Sequence, residues 1–227
     1  MKRYVVANWK SNKTVVGAAA WFAEFGTPPQ VHDLEIIIAP AFPLLLPVGQ
    51  ELAKTTLSAS LAAQDTSPFP LGSYTGAVAA QQLLDLGVRY CLVGHSERRE
   101  YFHETDADIA KKITELLSLD LTPILCLDEP YIESQARWLS NEQRQAVLVA
   151  YEPRSVIGLG QPVSVGQVKR VIGMVKQYFP SAPILYGGSV DERNCSEFLL
   201  VTNGVLVGSA SLEGKRFAQI VTACTSH

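Results

Sequence analysis

Eight short runs of this chain are apolar but for Glu35, Ser58 and Ser60: residues 4–7, 35–39, 57–62, 90–93, 123–127, 146–150, 184–186 and 205–207. None alternates in the way a strand with one wet face does, so each reads as a parallel strand buried on both sides. Between the runs lie segments of helical period. Val15, Ala18, Ala19 and Phe22 share one helical face, as do Ile109, Ile113, Leu116 and Leu117. Val168, Val171, Ile172 and Val175 repeat that spacing, and Phe217, Ile220, Val221 and Cys224 repeat it again. Thr105-x-x-Asp108, Ser164-x-x-Gln167 and Ser189-x-x-Glu192 have the form of capping boxes at helix starts. Strands that alternate with helices, without a domain-sized linker, predict a closed (β/α)₈ barrel in one domain over residues 1–227. A doubly wound open sheet is the alternative, disfavoured because no Gly-x-Gly-x-x-Gly follows the first run. The pattern is thinnest between Glu129 and Ala146, where Trp138 and Leu139 suggest at most one short helix.

Charge narrows the function. With 19 Lys and Arg against 22 Asp and Glu, the chain has no basic field to hold nucleic acid or an anionic membrane. Any phosphate must be recognised locally, by backbone amides and one or two cations. The first residues are too soon interrupted for a signal peptide, and no apolar run is long enough to span a bilayer. The four cysteines are scattered, with no C-x-x-C and no metal-like His spacing. Cys91 and Cys126 lie inside apolar runs, where a reduced thiol acts as a small hydrophobe. The expectation is a cytoplasmic protein with free thiols and neither metal nor cofactor.

A barrel collects its chemistry where strands end. The first run is followed by Asn8-Trp9-Lys10, where Lys10 is either a solvated surface residue or a cation facing a phosphate or oxyanion. After the fourth comes His95, opening a charged, helix-prone segment. It either caps a turn or, with its pKa lowered by the helix terminus, presents a neutral ring to a carbonyl. After the sixth comes Glu152, which Pro153 keeps out of helical geometry; it is either a partner for Arg or a base. Gly158 and Gly160 follow it. Tyr186-Gly187-Gly188-Ser189 and Gly208-Ser209-Ala210-Ser211 are strand-to-helix junctions where amides can cup a phosphate. A base, a neutral donor, a cation and a phosphate cup suit enolisation beside the carbonyl of a small phosphorylated sugar.

These segments stand together, and in the same order, in the triosephosphate isomerase family, which this chain resembles nearly from end to end. The resemblance implies a TIM barrel, shortened around its fifth helix. It implies an aldose–ketose isomerase of glycolysis, gluconeogenesis and pentose-phosphate-linked metabolism, acting on a phosphorylated triose. By it, Glu152 is the base and neutral His95 polarises the carbonyl. Asn8 and Lys10 stabilise charge, and Glu97 supports Lys10. Gly158, Ser189, Gly208 and Ser209 present amides to the phosphate, and residues 153–163 form a lid. The family's members are typically dimers; a tetramer is the alternative that the shortened helix raises. Thr75, in the loop 64–76, is the residue expected to reach across; a mobile surface loop is the alternative there.

The chain departs from the family's pattern at the lid and interface. Arg154 and Ser155 stand where Val and Trp are usual, and Leu159, Gln161 and Pro162 replace Thr, Lys and a small residue. Ser11 replaces a Met and Ala77 a Glu at the expected dimer contact. Those changes motivate a rival reading, a phosphate-binding barrel kept for binding or assembly with little catalysis. A different sugar phosphate as substrate is a third.

Overall fold

The computed structural model describes residues 2–28, 32–55, 58–156 and 161–225. Its strands are β1 (Arg3–Asn8), β2 (Leu34–Ala39), β3 (Ala59–Ala63), β4 (Val88–Val93), β5 (Thr122–Leu127), β6 (Leu148–Tyr151), β7 (Ile184–Tyr186) and β8 (Gly204–Val207). Each pairs in parallel with the next, and β8 pairs back onto β1, so the sheet closes into a barrel. The open-sheet alternative is thereby excluded. At the seam Gly204 lies opposite Tyr4, and a Cβ on Gly204 would stand 2.1 Å from the Tyr4 carbonyl oxygen. Only glycine permits that approach.

The apolar runs are explained by two cores. Val6, Ile37, Leu92, Ile124, Leu148 and Leu206 fill the barrel interior. Their neighbours Val5, Ala7, Ile36 and Ile38 point outward into a second core beneath the helices. Both faces of each strand are covered, so neither face carries a polar alternation. Burying one such side chain contributes about 1.5–3 kcal/mol.

The helices are α1 (Val15–Phe25), α2 (Leu45–Lys54), α3 (Ala80–Asp85), α4 (Ser96–Tyr101), α5 (Asp106–Leu117), α6 (Tyr131–Arg137), α7 (Asn141–Ala146), α8 (Val165–Tyr178), α9 (Cys195–Leu199) and α10 (Gly214–Thr225). The faces expected for α8 and α10 are buried as drawn. In α5 Ile109, Ile113 and Leu116 are buried, with Leu117 at the edge. In α1 the face is turned: Ala18, Trp21, Phe22 and Phe25 are buried, while Val15 and Ala19 are exposed. Large rings win that contest because they bury more area than Val or Ala.

Three further expectations are corrected. Residues 129–146 hold two helices, α6 and α7, the second started by a reciprocal Ser140–Gln143 box. Ala146 therefore closes α7, and the sixth strand begins at Leu148. The third begins at Ala59; Leu57 lies outside the described residues. Thr105 and Asp108 form the expected capping box, and Ser164 accepts from the Gln167 amide. Ser189 caps nothing: its hydroxyl donates to the Val156 carbonyl at 2.5 Å.

Candidate active site

The ends of β1, β4, β6, β7 and β8 converge at one mouth of the barrel. Asn8 ends β1, buried, and its Oδ1 accepts the Lys10 amide at 3.1 Å. Lys10 has φ +50°, a conformation that L residues avoid and that working sites tolerate. Gln64, just past β3, holds that turn by donating to the carbonyls of Lys10 (2.9 Å) and Ala39 (2.8 Å). Lys10 Nζ meets Glu97 Oε1 at 2.5 Å. Lys10 is thus neither freely solvated nor buried. It lies on the wall of the cavity, aimed by a carboxylate.

His95 is the N-cap of α4, and its Nδ1 accepts the Glu97 amide at 3.2 Å. That bond leaves the proton of the neutral ring on Nε2, which stands 3.4 Å from Glu152 Oε1. Capping a turn and facing the site are therefore one arrangement. The sequence-based expectation of a lowered His95 pKa is corrected. Burial pulls it down, but the Glu152 carboxylate, seconded by Glu97, outweighs burial and holds it above 6.5.

Glu152 is buried just beyond β6, its amide donating to the Leu127 carbonyl at 2.9 Å. Burial alone would raise its pKa; the neighbouring His95, with smaller help from Cys126 and Lys10, holds it below 4.5. Its partner is a histidine, so the alternative of an Arg-paired structural carboxylate falls. The carboxylate fits where it does because residue 187 has no side chain: a Cβ there would lie 2.7 Å from Glu152 Cγ.

A cavity of about 230 Å³ is lined by Lys10, Glu152, Gly187, Ser189, Gly208 and Ser209. Ser189 has φ +56° and Gly208 begins a single helical turn, Ser209–Ser211. Gly158 and Leu159 lie outside the described residues. The two described ends of the segment around them are tied to β7 and its loop. Val156 is bound by Ser189, and the Val163 amide donates to the Tyr186 hydroxyl at 3.2 Å. Thr75 is exposed in the loop after β3, away from this cavity. The loop is braced by Phe69 and Tyr74, whose rings stack at 4.4 Å. Among the described residues no group of three or more His, Cys, Asp or Glu side chains is placed to hold a metal ion.

Two supports went unforeseen. Asp65, Arg98, Glu104 and Lys112 form a buried ring of charge, with Arg98 to Asp65 at 2.8 Å, Lys112 to Asp65 at 2.6 Å, and both cations on Glu104. It braces α4, and hence His95, against α5 and the loop after β3. Arg193 and Arg216 also line the cavity, paired with Asp191 and Glu192. No sequence signal joins residues so far apart, although a Lys at a buried helical position among Ile109, Ile113 and Leu116 is a hint that it has a partner.

A family model described as triosephosphate isomerase matches residues 3–224. The chain belongs to the triosephosphate isomerase family. Named members include one from Gloeobacter violaceus, 39% identical across 97% of this chain and 98% of its own length. One from Thermus thermophilus is 37% identical with the same coverage. One from Mesomycoplasma hyopneumoniae (strain 7448) is 34% identical over 97% of this chain and 99% of its own. In this chain the segment after Glu152 is tied down by Arg154. Arg154 donates to Glu100 at 2.5 Å through its side chain and to Asp128 at 3.3 Å through its amide. Ser155 occupies a turn with no large ring to bury.

Proposed function

We propose that this chain interconverts dihydroxyacetone phosphate and D-glyceraldehyde 3-phosphate, moving a proton between adjacent carbons through an enediolate. The observation that carries the reading is the buried pair of Glu152 Oε1 and His95 Nε2, 3.4 Å apart, with Glu152 on the wall of a cavity that Lys10 also lines. A substrate carbonyl entering between them gives each group its task. Glu152, kept ionised, takes the carbon-bound proton, while neutral His95 donates from Nε2 to the carbonyl oxygen. Lys10, aimed by Glu97 and seated by Asn8, offsets the charge that develops on oxygen. The amides of Ser189, Gly208, Ser209 and Gly158 receive the phosphate. We read residues 153–163 as the lid that excludes water. No cofactor is required.

A coupled assay with glyceraldehyde 3-phosphate tests this. Wild type turns over, and Glu152→Gln loses about 10²–10⁴-fold in kcat. No turnover by wild type, or equal turnover by the variant, refutes the reading. A phosphate-binding barrel without catalysis would instead bind a triose-phosphate analogue while leaving its proton exchange at background.

Residues 1–227 form, in this reading, one domain that works as a homodimer with Thr75 at the contact. In support, Phe69, Leu71 and Tyr74 are exposed on the Thr75 loop, together with Val15 and Val16. Light scattering distinguishes monomer, dimer and tetramer. We place the protein in the cytoplasm, where its four free thiols stay reduced.

A further inference from the structure

Strands β7 and β8 pair as far as Tyr186 and Val205, and beyond that pair they lead into separate loops. Both loops line the active cavity, with Ser189, Asp191 and Arg193 on one side and Gly208, Ser209 and Arg216 on the other. Arg216, in the first turn of α10, crosses between them. Its Nε donates to Glu192 Oε2 at 2.7 Å, and its Nη2 lies 3.8 Å from Asp191 Oδ2. Asp191 in turn organises its own loop. Its Oδ1 accepts the amides of Arg193 (2.9 Å) and Asn194 (3.2 Å), and its amide donates to Asn194 Oδ1 at 3.0 Å. Asn194 Nδ2 donates to the Ser189 carbonyl at 3.1 Å. Polar contacts thus run from α10 to Ser189, whose φ of +56° needs such holding.

The helix itself gains nothing from this arginine. A cation in the first turn faces the positive end of the helix dipole, and α10 has Lys215 beside Arg216 with no acid in that turn. The favourable partners of Arg216 are the two carboxylates of the neighbouring loop. Burial would raise both carboxyls, yet Arg216 at Glu192 and Arg193 at Asp191 hold them below their ordinary range. We propose that Arg216 is a positioning residue for phosphate recognition. Its grip on Glu192 and Asp191 fixes the gap between the Ser189 amide and those of Gly208 and Ser209, the two halves of one anion site. Arg216 is aimed at carboxylates, so it acts through the loop and not by touching the ligand. A loosened loop must be reordered by each incoming phosphate, whereas Glu152 and His95 stand on other strand ends and keep their places. The inference rests on the reading of this cavity as a phosphate site.

Arg216→Met, which keeps the stem and removes the fork, is compared with Arg216→Lys and Glu192→Gln in the full-length protein. The coupled assay gives KM and kcat, and calorimetry with inorganic phosphate gives its Kd. Arg216→Met and Glu192→Gln should each raise KM and the phosphate Kd roughly 3–10-fold, with kcat within about twofold of wild type. The double variant should be no worse than either single one, as expected of partners in one bond. Lys cannot fork to both carboxylates and should restore only part of the loss. The melting temperature should move by less than about 3 °C, because relief at the helix dipole offsets the lost ion pair. Where Arg216→Met melts lower, Glu192→Gln and Arg216→Lys carry the comparison. A rise below about threefold, or a fall in kcat at constant KM, overturns the proposal. So does a rise in Arg216→Met alone, which would mean that Arg216 meets the anion directly, and so does a wild type that binds no phosphate. If wild type binds phosphate but lacks turnover, the isomerase reading fails and the calorimetry still decides this one.

Discussion

Gly187→Ala isolates the placement of the base from everything else in the site. Gly187 is not among the glycines with positive φ, so the backbone accepts alanine. The added Cβ, however, would stand 2.7 Å from Glu152 Cγ and 3.1 Å from Oε1. Carbon atoms settle at about 3.5–4.0 Å, so the carboxylate must retreat by roughly 1 Å. A misplacement of that size costs about 10²-fold in rate, or ~2.7 kcal/mol of barrel-mouth catalysis. The methyl group points at Glu152, so if the proposed phosphate-binding amides are left in place KM should stay within about threefold while kcat falls. The coupled assay, run beside circular dichroism and thermal melting, separates the two. A kcat within about fivefold of wild type, in a protein of unchanged stability, would refute the claim that this contact places Glu152.

Other consequences follow from the same geometry. Lys112→Met leaves Asp65 and Glu104 buried with only Arg98 between them, and should cost about 3–5 kcal/mol in urea unfolding. Its deficit should shrink on acidification as a buried carboxylate takes up a proton; a cost under about 1 kcal/mol would show the ring to be dispensable. Activity and stability should prefer different pH. His95, raised above 6.5, must lose its proton to act as a neutral donor, so kcat/KM climbs on the alkaline side of 6.5. The charged pair stabilises above the unfolded carboxylate's 4.5 and loses strength as pH rises through the His95 pKa, so its contribution to the fold is largest between 4.5 and 6.5. Coincident optima in assay and melt would contradict that. Ser155→Trp should change kcat or product partitioning if packing at the lid hinge limits turnover; unchanged kinetics would remove that idea.

What could be read from the sequence divides along physical lines. Strands covered on both faces need apolar residues at every position, so the barrel could be counted from one dimension. That Asn8, Lys10, His95 and Glu152 stand at one mouth of the barrel could be read for a related reason: each lies at the end of such a strand or within two residues beyond it. The turned face of α1 was missed because Val15 and Ala19 fit the spacing while the larger rings decide the packing. Of the two helices at 131–146 only one was expected, because the start of the second rests on the small Ser140–Gln143 box rather than on a long apolar stripe. Gln64 and the Asp65, Arg98, Glu104 and Lys112 ring were invisible, since their partners are distant in sequence and no local pattern records a long-range bond. The His95 pKa went wrong for the same reason: its strongest influence besides burial is Glu152, two strands away around the barrel.

The glycine seam between β8 and β1 bears on how this protein comes into being. Lys10 leaves the ribosome almost 200 residues before Gly208 and Ser209, yet they line one cavity. That cavity exists only after Gly204 has docked against Tyr4. A nascent or truncated chain that stops before β8 has an unclosed sheet with two raw edges, and lacks the cavity wall that Gly208 and Ser209 form. Turnover in a translation reaction therefore reports only on chains that have passed β8 and closed the barrel.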